Sequence, residues 1–273
     1  MWRSTATTGA DRSLTETSSK SANLPLVRRL EAVGFRAWPA SSVQYDGSWQ
    51  VRLTAGHPSN RLNSIVPLDP SDHRDIEIRV EKASRKFEAY GRPAVLRQTP
   101  LCSPLLVDLV AAQNWTHFDE TIVMTCDLTQ ADLPDTLDHL PTHDIGRFVD
   151  ANLATDQVSA KLKPALAEII NAIKPPSGLF MIEDPETGPL ATVLCVQDND
   201  LAGIMSLSVA RERRREGLGL EILTSALRWA RMRSARSAWL QVKADNVPAL
   251  ALYGRIGFRE AYRYSYWRKD RCG

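Results

Sequence analysis

At 273 residues the chain is long enough for two modest domains, and 43% hydrophobic with 24% charged residues is the balance of a soluble globular protein. A formal net charge of +2 is too small to direct the whole chain to nucleic acid or to an anionic membrane. Cys102, Cys126, Cys195 and Cys272 are scattered without a zinc-like spacing, no run approaches the ~20 apolar residues of a membrane span, and the N-terminus lacks a secretory core. Reduced thiols, no metal and a cytoplasmic location are the expectations.

Residues 1–23 are rich in Ser and Thr and poor in large apolar side chains, the composition of a disordered tail. Leu26, Val27, Leu30 and Val33 then share one helical face, with Gly34 as the expected stop. Strands are predicted at 49–53 and 63–66, followed by a long helix from Asp72 to Tyr90 closed by Gly91. A strand at 94–97, a helix at 104–112 and a strand at 119–125 complete the first half. The second half repeats this grammar. Helices are predicted at 144–154 and 160–173, then strands at 179–183, 191–197 and 202–209. A helix from Gly217 to Met232, a strand at 238–242, a helix at 247–256 and a strand at 261–268 close the chain.

A shift of 144 positions aligns two segments, 92–106 and 236–250, without a gap. Arg92, Ala94, Leu96, Pro104 and Leu106 fall on Arg236, Ala238, Leu240, Pro248 and Leu250. Both copies read strand, loop, proline in the first helical turn, apolar helix. The correspondence suggests a duplication in which the first copy has no glycine where the second has its Gly-rich loop.

That loop, Arg214-Arg-Glu-Gly217-Leu-Gly219, lies between a predicted strand and a predicted helix. Glycine tolerates positive φ and close approach, and free amides at a helix start form an anion site. Arg214 and Arg215 add guanidinium groups suited to phosphate oxygens, although short basic runs such as 211–215 are often only solvated. A dinucleotide fingerprint needs a third glycine where Ile222 stands, and the GK[ST] ending of a nucleotide-triphosphate loop is absent.

With Asp245-Asn-Val-Pro-Ala-Leu-Ala-Leu-Tyr253-Gly-Arg-Ile-Gly-Phe258 downstream, the chain resembles the GNAT superfamily of acyl-CoA N-acyltransferases. Arg214 to Gly219 match that family's pyrophosphate signature, and the second run resembles its Asn, Ala–Tyr and Gly–Phe signature. The resemblance implies an α/β (α+β) fold of two tandem GNAT-like domains, each a mixed central sheet flanked by helices. Residues 24–130 would be a degenerate first domain, on Trp38-Pro39, Gly56, Arg61-Leu-Asn-Ser64 and Arg97-Gln-Thr-Pro100, and residues 143–273 the acetyl-CoA-binding one.

It further implies N-acetyl transfer from acetyl-CoA to a primary amine. Leu207, Ser208 and Val209 would offer backbone to the pantetheine, and Arg214, Arg215, Gly217, Leu218 and Gly219 would hold the pyrophosphate. Asn246 would bind the cofactor or cap its own helix, and Tyr253 would be the catalytic acid. No general base stands out. Expected partners are a small-molecule or peptide amine and no nucleic acid or membrane, with a homodimer left open. The rival is a non-catalytic acyl-CoA sensor or docking module of the same fold. Nucleic-acid binding through 211–215 and 228–236 is the third alternative.

Overall fold

The computed structural model describes residues 23–269, so all but the last residue of the expected tail, and Cys272, lie outside the described residues. The first helix, α1, covers Leu24–Ala37, and Asn23 caps it by accepting from Leu26 N at 3.2 Å. The sequence stops this helix at Gly34, but the helix runs three residues further. Gly34 faces the indole of Trp239, 3.6 Å from where a Cβ would stand, so this glycine serves close packing and not termination.

Next come β1 (Ser42–Asp46), β2 (Trp49–Leu53), β3 (Ser64–Pro67), α2 (Ile76–Ala89), β4 (Val95–Gln98), α3 (Pro104–Ala112) and β5 (Thr116–Asp127). β1 is not among the predicted strands: it is a five-residue edge strand whose two alternating apolar residues, Val43 and Tyr45, are both exposed. α2 starts later than expected. Asp72 instead accepts from Ser48 and Arg79, tying the β1–β2 turn to the helix, and Asp75 leaves the helical region at φ +48°. The second half supplies α4 (Ile145–Thr155), α5 (Lys163–Asn171), β6 (Ser177–Asp184), β7 (Gly188–Asp198), β8 (Leu201–Val209), α6 (Leu218–Met232), β9 (Ser237–Lys243), α7 (Val247–Ile256) and β10 (Arg259–Arg268). A 3₁₀ turn at Ala160–Leu162 occupies the start of the predicted 160–173 helix. None of the described helices is long and apolar enough to cross a membrane.

All ten strands form one mixed sheet, in the order β1-β2-β3-β4-β10-β5-β9-β8-β7-β6. The order explains the sequence repeat. Pairing β4 with β9, β3 with β8 and β5 with β10 makes the sheet read identically from either edge, and both β3–β4 and β8–β9 are parallel. The halves also exchange strands. β10 lies between β4 and β5, and β5 lies between β10 and β9, all antiparallel. The tandem arrangement is thus a single fused sheet with reciprocal insertion at its centre.

α1 is bound to the far half as well. Arg36 pairs with Asp198 at 2.5 Å, Arg29 pairs with Asp200, and the buried Trp239 lies between Gly34 and Gly203. A Cβ on Gly203 would stand 2.6 Å from Trp239 Cζ2, its cross-strand neighbour. Gly203→Ala should therefore cost about 1–3 kcal/mol through overpacking, read as a lowered thermal midpoint. Adding Trp239→Leu should restore part of it; additive losses in the double variant would count against this packing account.

The segment between the halves lies on α6. Arg228 donates to Thr136 O and Pro134 O and pairs with Asp138 at 2.7 Å. Its charge is satisfied inside the chain, which removes it from the basic stretch at 228–236.

Candidate active site

β8 and β9 pair in parallel only from Leu201–Ser237 to Ile204–Leu240. Beyond that point β8 continues to Val209 with a partner on the β7 side alone. The separation begins at a bulge: Ser206 sits at φ +50°, between the register pairs Leu194–Met205 and Thr192–Ser208. Buried Asn152 of α4 holds this bulge, donating to Ser206 O at 3.1 Å and to Thr192 Oγ1 at 2.9 Å. Leu207, Ser208 and Val209 therefore border an opening between two parallel strands.

The β8–α6 connection turns through a short 3₁₀ segment (Arg211–Arg213), with Arg215 at φ +69° and Gly217 at φ +90°. Left-handed residues placed so closely turn successive amides toward one side. Among the described residues, the N–H groups of Arg214, Arg215, Glu216, Gly217, Leu218 and Gly219 donate to no protein acceptor. Arg213 pairs with Glu216 at 2.8 Å, while Arg214 donates from Nε to Val209 O at 3.2 Å, joining the loop to the end of β8. Gly217 is exposed with open space around its missing Cβ. Gly219 lies close to Val209 and Leu252, 3.4 and 3.5 Å from its Cβ position, so a side chain there would press on β8 and α7.

Asn246 caps α7, accepting from Ala249 N at 3.2 Å, and Pro248 fills the first turn. Tyr253 is 8% exposed on the inner face of α7, against Phe258 at 5.9 Å between ring centroids. Burial pushes its phenol up to about 12, and the positive charge of Arg61 opposes the shift. Its hydroxyl makes no hydrogen bond with the described residues.

Beside the opening is a cavity of about 440 Å³ formed by both halves. Trp38 and 57–61 come from the first half, Asn152, Asp156, Ser206 and Tyr264 from the second. Neither Gly217 nor Gly219 lines it. Asp156 connects the two places: it stands on the cavity rim just after α4, and the charge of Arg214 acts on it. Surrounding protein raises the Asp156 carboxyl above its ordinary value, and Arg214 opposes the shift. Sequence reasoning missed both Asp156 and Arg61. Each lies among other polar residues in an irregular segment with nothing local to single it out for a site, and only the fold brings it to the cavity. Among the described residues no cluster of His, Cys, Asp or Glu has the makings of a metal site.

Residues 26–267 match the family model described as "Probable histone acetyltransferase Rv0428c C-terminal". The chain is 23% identical over 246 residues to "Uncharacterized N-acetyltransferase YobR" of Bacillus subtilis, covering 88% of this chain and 97% of that protein. Among solved structures, a GCN5-related N-acetyltransferase from Kribbella flavida superposes with a TM-score of 0.65 at 15% identity, over 92% of this chain and 97% of the other. A tandem GNAT protein from the clavulanic acid biosynthesis pathway superposes at 0.61 with 15% identity, over 89% of each chain. A parallel pair that parts at a bulge, leading through a glycine loop into a helix, is thus matched by a family model along nearly the whole described chain, and the protein belongs to that acetyltransferase family within the GNAT superfamily.

Proposed function

We propose that the chain transfers an acetyl group from acetyl-CoA to a primary amine by direct attack on the thioester. The observation that carries this reading is the row of six unengaged amides from Arg214 to Gly219, placed where β8 and β9 separate. Free amides at a helix start, with the helix dipole behind them, favour the two linked phosphates of coenzyme A. Arg214 and Arg215 add cationic donors to the same loop. In this reading residues 143–273 hold acetyl-CoA, and residues 24–130 complete the acceptor cavity.

Acetyl-CoA supplies an activated acyl carbon, and the chain's own groups do the rest. The open edge of β8 from Leu207 to Val209 can receive the pantetheine amides as an added strand would, with a backbone N–H available to the carbonyl oxygen. The attacking nitrogen must be neutral. Asp156, whose carboxyl is raised and stands on the cavity rim, is the candidate proton acceptor, directly or through water. As the C–N bond forms and the C–S bond breaks, the proton lost by nitrogen balances the one gained by sulfur. A phenol near 12 is a weaker acid than the ~8.5 of a thiol. Tyr253 therefore acts mainly as a hydrogen-bond donor to the departing sulfur, whose full proton arrives from solvent.

Calorimetry with acetyl-CoA and mass spectrometry across an amine panel test the reading. The expected result is saturable binding with products heavier by one acetyl group, and Arg214→Ala should weaken binding on the order of tenfold. Absence of acetyl-CoA binding would overturn the proposal. Binding without any acetylated product would make the chain an acyl-CoA sensor.

A further inference from the structure

The cavity beside the β8–β9 opening carries four fully charged side chains, and two of them neutralise each other. Lys243 pairs with Asp119 at 2.8 Å. His57 is also there, but burial and the charge of Arg92 lower its pKa and favour its neutral form. That leaves Arg61 and Asp156. The half-buried Arg61 guanidinium forms no hydrogen bond or ion pair with the described residues, and neither does the Asp156 carboxylate.

The surroundings of Arg61 make its lack of a partner more pointed. It also faces a small recess lined by Glu31, Arg52 and Arg97. Glu31 is already bound to Arg97 at 2.8 Å. Arg52, 2% exposed, is held by Trp38 O, Arg61 O and Gln50 Oε1, with no carboxylate partner among the described residues. Three guanidiniums therefore share one carboxylate around this recess. A buried excess of positive charge is costly unless an anion meets it. Asp156 lines the same cavity and feels the charge of Arg214. The same lining includes apolar surface from Leu153, Leu166 and the rings of Tyr264 and Tyr266.

We propose that the acceptor is a primary amine that also bears a carboxylate, a free amino acid or close analogue, with its carboxylate received by Arg61 and its ammonium by Asp156. The inference rests on the acetyl-transfer reading above and adds the acceptor's chemical class. It gives the first half a direct part in specificity, because Arg61 reaches from the β2–β3 connection into a site that the two halves build together. A volume of about 440 Å³ suits one such molecule.

Matched acceptors test it: leucine, leucinamide and 3-methylbutylamine, with phenylalanine, phenylalaninamide and phenethylamine as a second set. The wild-type chain should use the carboxylate-bearing member with kcat/KM roughly 10–100-fold above its partners, the ratio expected of one charge-assisted contact. In Arg61→Gln that ratio should fall toward one, mostly through KM, and Arg61→Lys should restore part of it. A wild-type ratio near one, a ratio that survives Arg61→Gln, or acceptance of polypeptide amines alone would overturn the inference while leaving acetyl transfer standing. Calorimetry of the same acceptors without coenzyme A gives an independent readout. If acetyl-CoA neither binds nor reacts, the acetyl-transfer reading fails by itself, and the presence or absence of an Arg61-dependent preference for the carboxylate in that titration still decides this inference.

Discussion

Tyr253→Phe should lower turnover roughly 10²–10³-fold while leaving acetyl-CoA affinity near the wild-type value, the loss expected when one preorganised donor to developing charge is removed. The substitution is well suited to the question. Tyr253 is 8% exposed, its ring packs against Phe258, and its hydroxyl has no hydrogen-bond partner among the described residues, so phenylalanine preserves the packing and removes only the donor. Because the phenol is pushed up to about 12, it stays protonated through the neutral and mildly alkaline range. The wild-type rate should show no falling limb assignable to Tyr253 until pH approaches that value. A raised phenol pKa keeps the donating form populated below it and loses it only above. Turnover unchanged in Tyr253→Phe would remove this residue from the chemistry without touching the cofactor assignment.

Glu31→Ala should be among the most destabilising single changes, costing about 3–5 kcal/mol, the range for breaking a buried ion pair from one side. Glu31 and Arg97 have side chains 1% and 3% exposed and meet at 2.8 Å. Tyr262 donates to the same carboxylate oxygen at 2.5 Å, and Arg97 lies over the Tyr264 ring at 3.9 Å. Removing the carboxylate strands a guanidinium among aromatic rings, close to a second buried arginine, Arg52. Urea unfolding should show the loss as a lower midpoint at similar slope. The paired replacement Glu31→Met with Arg97→Met should recover most of it, because an apolar pair incurs no desolvation cost. A single-variant loss below about 1 kcal/mol would show that the remaining groups compensate the charge.

Much of this protein was legible along the chain because its signals are local. α3 and α7 fall on the predicted bounds, each set by a proline in the first turn and an apolar helix behind it. The glycine loop was legible for the same reason: a strand, two glycines and a helix are consecutive. What escaped was either unpatterned or assembled at a distance. β1 is a five-residue edge strand whose alternating Val43 and Tyr45 bury no face, and Gly34 looked like a terminator because nothing local reveals Trp239 beside it. Arg61 and Asp156 lie 95 positions apart in irregular segments and share a cavity only after the sheet has formed. The repeat at a shift of 144 was visible as scattered identities. Its geometric content, a sheet that reads the same from both edges, required the pairing of β5 with β9 and of β4 with β10.

That reciprocal insertion has a consequence for how the molecule can be divided. A cut within 128–144 would sever the covalent link and leave the hydrogen-bonded seam intact, because β10 stays clasped by β4 and β5 while β5 stays clasped by β9 and β10. Each fragment alone would bear a long, unsatisfied ribbon of backbone donors and acceptors, the template on which chains aggregate or find a complementary copy. The two pieces are better regarded as interlocked partners than as beads on a string, and co-produced fragments should find each other where solitary ones would not persist.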